Sequence, residues 1–159
     1  MKGIAALTVA SLALTVIAPL ARAQPDPNVF LTVSPEDVKW RNVPTVRGLQ
    51  TAVIAGDPTK PGVYVLRVKY APGVMTRPHF NPEDRYAVVL QGTWWIGTGS
   101  EFEPAKAVAV KAGTFMKLPA RQPHYEGAKD GETIVQIVGV GPSATLLVRP
   151  EQGLTGPSR

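Results

Sequence analysis

Only two histidines occur in this chain, His79 and His124. Each follows a proline, Pro78 and Pro123, at the end of a candidate strand. Neutral imidazole is the commonest metal ligand and titrates near physiological pH. Two imidazoles at strand ends therefore raise the question of whether they share a site. Strand alternation places Arg77, His79 and Asn81 on one face. Asn81 can add an amide oxygen, a weaker donor than imidazole for a borderline transition metal. Arg85 is different in kind: its guanidinium stays cationic, cannot ligate a metal and repels a divalent ion nearby.

Two active arrangements follow. In one, Arg85 swings out to pair with Glu83 or Asp84. His79, Asn81 and His124 then form a weak three-point metal site, completed by water or by another carboxylate such as Glu126. In the other, Arg85 points inward beside Arg77, and the pocket holds a carboxylate, phosphate or enolate oxygen, which a guanidinium fork matches well. A third arrangement has no chemistry, with both imidazoles satisfying backbone carbonyls. Trp94 and Trp95 must point to opposite faces of a strand, so Trp95 is a candidate for lining the pocket or, alternatively, for a homodimer contact. Gln136, polar among apolar neighbours, reaches the pocket or faces solvent. Tyr86 and Tyr125 follow Arg85 and His124 and are expected to turn away from the site.

The elements that position these residues read as strands. Pro and Gly recur every few residues beyond position 24 and no stretch sustains a helical period, the punctuation of an all-β sandwich or barrel. Expected strands are 51–54, 63–70, 75–80, 85–91, 93–97, 107–110, 114–118, 124–128, 132–138 and 144–148. Gln91-Gly92 and Lys111-Ala112-Gly113 supply tight turns, and Pro119 and Pro123 bracket a loop leading into His124. A single helical turn is expected at Ser34-Pro35-Glu36-Asp37, with Ser34 as cap. The tail 151–159 is polar and is expected to fray.

Composition sets outer limits. The chain has 159 residues, 44% hydrophobic and 18% charged, which suits one folded domain. Seventeen basic against twelve acidic residues leave a surplus too scattered for nucleic-acid binding. Without cysteine, thiol catalysis, disulfides and Cys-ligated metals are excluded. Lys2, the apolar run 4–20 and Ala21-Arg22-Ala23 form the pattern of a cleaved secretory signal. Export to the periplasm or beyond, with no membrane insertion of the mature chain, is the expectation, with one domain over 24–150.

The spacing around the histidines resembles the cupin superfamily. Gly73, His79 and Gly92 match its first motif, G-x5-H-x-H-x3,4-E-x6-G, and Gly113, Pro119 and His124 match its second, G-x5-P-x-G-x2-H-x3-N. Asn81 stands where the pattern has its second histidine, Arg85 where it has glutamate, Arg121 where it has glycine and Ala128 where it has asparagine. The resemblance implies an RmlC-like conical β-barrel of antiparallel strands, a double-stranded β-helix with its site inside the mouth. It implies a weakly held divalent transition metal (Fe, Mn, Zn, Ni or Cu) or, with two ligands replaced, none. The competing functions are an exported metal-dependent dioxygenase, lyase or isomerase acting on an anionic or oxygen-rich small molecule, and a metal-free module holding a carboxylate-bearing ligand through Arg77, Arg85 and the histidines.

Overall fold

The computed structural model describes residues 30–44 and 46–158. The expected signal segment lies outside them. The strands in chain order are β1 (Arg41–Asn42), β2 (Leu49–Ala55), β3 (Gly62–Tyr70), β4 (Val74–Thr76), β5 (His79–Phe80), β6 (Arg85–Gln91) and β7 (Thr93–Thr98). They continue with β8 (Val108–Lys111), β9 (Phe115–Leu118), β10 (His124–Gly127), β11 (Thr133–Gly141), β12 (Leu146–Leu147) and β13 (Thr155–Pro157). All lie within the unit Val33–Arg159. Three 3-10 turns complete the described residues; the first, Pro35–Asp37, follows Ser34, whose carbonyl rather than its hydroxyl receives Asp37 N–H.

Every strand pairing is antiparallel, in two sheets. One runs β1-β2-β3-β11-β6-β9, and the other β12-β5-β10-β4-β13, with β7 joining β10 to β8. The alternation of β6 and β11 sets the inner surface of the first sheet: Ala87, Val89, Val135 and Ile137 are buried, and Tyr86 between them is exposed. From the second sheet Trp94, Ile96 and Val110 join the same core. Each fully buried aliphatic side chain of this kind contributes about 1.5–3 kcal/mol, so the core clamps the two sheets together. The turn at Gly92 needs its glycine twice over: φ is +75°, and a Cβ there would meet the Glu132 carbonyl oxygen at 2.2 Å.

Two expected boundaries are corrected. The strand expected over 75–80 is broken at Arg77-Pro78 into β4 and β5. Pro78 has no N–H for the ladder, and the two pieces meet β10 at different points, Met75 opposite Gly127 and His79 opposite His124. The tail does not fray as expected. Thr155–Pro157 pairs with β4, Arg77 Nε donates to Thr155 O at 2.9 Å, and Ser158 is buried. Paired backbone groups and a buried side chain hold a polar segment that composition alone reads as loose.

Candidate metal centre

β5 and β10 lie side by side with His79 and His124 in register, so the two prolines deliver their imidazoles to one place. The ring centroids are 4.6 Å apart. Period-two alternation along β10 then sets Glu126 on the face of His124, and Tyr125 on the opposite face. His79 Nε2 lies 3.6 Å from Glu126 Oε1, and His124 Nε2 lies 3.8 Å from Oε2. One ligand atom from each residue falls within 4.8 Å of the others, and all three side chains are buried.

Each ring is oriented by its own backbone. His79 Nδ1 meets Arg77 O at 2.9 Å and His124 Nδ1 meets Gln122 O at 2.8 Å. A carbonyl only accepts, so each Nδ1 carries the proton and each Nε2 presents a lone pair to the common centre. Glu126 is fixed at both ends. Tyr70 O–H donates to Oε1 at 3.1 Å, and Thr76 Oγ1 bridges the Glu126 carbonyl and N–H at 2.9 and 3.0 Å. Glu126 Oε2 is buried and has no hydrogen-bond partner. A buried acceptor left open between two imidazole lone pairs is a position for a cation. Two imidazoles with one carboxylate suit a divalent transition ion such as Zn or non-haem Fe.

The electrostatics agree. Burial holds His124 below its ordinary pKa against the pull of Glu126, so the ring is neutral and ligand-competent near pH 7. Burial would raise Glu126, but His79 and His124, followed by the Tyr70 and Thr76 hydrogen bonds, outweigh it and leave the carboxyl below its usual range. Burial, then Glu126, pushes the Tyr70 hydroxyl well up, so it remains a donor.

The other candidates are placed as follows. Arg85 is on the inner face of β6, yet its charge is used within the protein. Nε donates to Glu83 Oε1 at 2.9 Å, a terminal nitrogen donates to Ser143 Oγ, and Tyr64 O–H reaches the same Glu83 oxygen at 2.8 Å. The guanidinium points inward and still pairs with Glu83. Asp84 instead receives Lys117 Nζ and Ala120 N–H. Asn81 is buried beside β5; its Nδ2 donates to Ala144 O at 2.7 Å and its Oδ1 has no partner. Arg77 does not share the face of His79, because the break at Pro78 ends the alternation; it lies over the Phe102 ring, 5.3 Å from its centroid. Gln136 is on the outer face of β11 and accepts from Arg67 Nε at 3.0 Å. Trp95 packs outside the main core with Lys129 Nζ over its ring at 3.8 Å, and Trp94 is the ring turned inward. Tyr86 and Tyr125 turn away as expected.

The sequence reading admitted Glu126 only as one way to complete the site, and it missed Tyr70 and Thr76. The signal for Glu126 was its position two residues beyond His124 on one strand. Nothing local pointed to Tyr70, which arrives from β3.

His124 also faces an open cleft of about 640 Å3, walled by Ile96, Val108, Met116, Leu118 and Pro119. The loop bringing His124 to it is strained. Arg121 has φ +60°, the only non-glycine residue with positive φ among those described, and its N–H donates to Asn81 O at 2.7 Å. This is where the cupin pattern carries glycine. Left-handed backbone costs a residue with a Cβ roughly 1–2 kcal/mol. Arg121→Gly is therefore expected to leave the melting temperature unchanged or higher, and Arg121→Val, β-branched, to lower stability by about 1 kcal/mol or more. Equal melting temperatures for the two variants contradict the strain.

A family model described as cupin matches residues 46–149. No curated protein matches the chain. Among solved structures, the polyketide cyclase RemF from Streptomyces resistomycificus superposes with TM-score 0.63 at 19% identity, over 76% of this chain and 87% of that one. The DMSP lyase DddQ from Ruegeria pomeroyi gives 0.60 at 15% identity, over 80% and 74%. An RmlC-like cupin from Shewanella frigidimarina gives 0.55 at 11% identity, over 69% and 90%. At these identities the likeness is one of fold.

Proposed function

The chain belongs to the cupin family, and from that premise we propose that it is a metal-dependent enzyme of cyclase, lyase, isomerase or dioxygenase type acting on a small oxygen-bearing molecule. The observation that carries this is the convergence of two Nε2 lone pairs and the open Glu126 Oε2. His79, His124 and Glu126 would hold a divalent transition metal, which supplies Lewis acidity toward a substrate oxygen. The protein's own residues do the rest. Arg77 O and Gln122 O fix the imidazole tautomers, Tyr70 and Thr76 hold Glu126, and the apolar cleft walls lead to the face of His124. Export is part of the proposal and rests on the signal pattern of residues 1–23 alone.

The alternative, a metal-free module gripping a carboxylate through Arg85, is disfavoured because that guanidinium is paired with Glu83 and bonded to Ser143. Metal analysis of protein purified without chelator tests the proposal. Close to one transition metal per chain is expected, lost in His124→Ala. Protein that neither retains nor takes up Mn, Fe, Co, Ni, Cu or Zn overturns it.

A further inference from the structure

The cleft at His124 has two characters. Its walls are apolar, through Ile96, Val108, Met116 and Leu118, and its volume of about 640 Å3 lies in the range of sites that enclose drug-sized organic molecules. Its rim carries basic side chains. Lys106 and Lys117 line it, and Arg121 lies on the loop between the lining residues Pro119 and Pro123. Both lysines are neutralised, Lys106 Nζ by Glu103 at 2.7 Å and Lys117 Nζ by Asp84 at 2.7 Å. Arg121 is exposed, and its guanidinium meets no hydrogen-bond or ion-pair partner among the described residues.

Arg121 thus carries the backbone strain of a left-handed residue without any contact by its charged group inside the molecule in return. Strain of this kind gathers at ligand clamps. Arg85 and Arg77, the other arginines of the two motifs, are already engaged, Arg85 by Glu83 and Ser143 and Arg77 by Thr155 O. We propose that the cleft binds an amphipathic organic acid, its apolar body against Ile96, Val108, Met116 and Leu118 and its carboxylate on Arg121. A guanidinium offers paired N–H donors that match a carboxylate. Held at the rim by its charge, the molecule presents its inner end to His124. This names the substrate class of the proposed enzyme and rests on that reading for its chemistry, though not for binding.

Octanoate and 1-octanol, equal in chain length and different in charge, serve as probes for calorimetric titration of the full mature chain, with metal content measured on the same sample. The wild type is expected to bind octanoate about tenfold more tightly than octanol or better, a preference that shrinks with added salt. Arg121→Gly, which relieves the backbone, is expected to abolish the preference and leave octanol affinity and metal content unchanged. Val108→Asp, at an exposed cleft position, is expected to weaken both probes. Equal binding of the two probes by the wild type, an undiminished preference in Arg121→Gly, or unaltered binding in Val108→Asp overturns the proposal. A bound metal with no Arg121-dependent preference defeats the substrate class alone, and an Arg121-dependent preference in a chain that takes up no metal defeats the metal reading alone.

Discussion

Glu126→Gln is expected to lower the affinity for Co2+ or Mn2+ by about a hundredfold or more, since loss of even an outer partner of a metal ligand typically costs 10–100-fold. The amide keeps the size and the Tyr70 hydrogen bond of the carboxylate but removes its charge, and charge is what balances a divalent ion between two neutral imidazoles. Asn81→Ala is the contrast, with a fall in affinity of less than about tenfold. Competitive metal titration with a chromophoric chelator, together with melting curves with and without metal, reads all of this. Should Asn81→Ala release the metal and Glu126→Gln retain it, the ligand set is His79, Asn81 and His124.

Arg85→Ala is expected to destabilise the fold by about 3 kcal/mol, because removing one partner of a buried ion pair strands the other. The side chains of Arg85 and Glu83 are only 9% and 12% exposed, so water does little to replace the lost contact. Arg85→Met with Glu83→Gln should recover most of the loss, since replacing both members removes the stranded charge. The effect depends on pH in a definite sense. Burial would raise the Glu83 pKa, but hydrogen bonds from Ser143, Arg85 and Tyr64 outweigh it and hold the carboxyl below its ordinary value. The unfolded chain therefore binds the Glu83 proton first as pH falls. The stabilisation is complete above the ordinary glutamate range and is lost as pH drops below it through the folded value. Urea unfolding of wild type and Arg85→Ala at several pH values should show the gap closing at acid pH. A gap that widens there, or an Arg85→Ala cost under about 1 kcal/mol at pH 7, contradicts the buried pair as a source of stability.

The replacement of the family's glutamate by Arg85 had looked the most damaging to a metal site. In the fold its charge is answered locally, because Glu83 sits two residues earlier and Ser143 arrives from the segment after β11 to take a second donor. Glu126 meanwhile places a carboxylate from the second motif beside both imidazoles. The position that lost its carboxylate and the carboxylate that stands beside the imidazoles belong to different strands, β6 and β10, of different sheets.

Strand positions, turns and the neighbourhood of the two histidines were readable in the chain because they depend on near neighbours. Alternation with period two, glycine at positive φ and proline without a donor act over a few residues, which is why β3, β6 and β7 fall almost where expected. The differences have one cause. Arg77, Gln136 and Trp95 were candidates for the pocket on local pattern, Gln136 with solvent and Trp95 with a dimer contact as the alternative. Their actual partners are Thr155, Arg67 and Lys129, each on another segment. The tail was read as loose because its pairing strand, β4, lies far from it in sequence. The amino-acid order alone determined an antiparallel cupin barrel with His79 and His124 at adjacent strand ends. Which carboxylate joins them and where the Arg85 charge is neutralised were decided by tertiary structure, since burial and pairing at those sites come from contacts between distant segments.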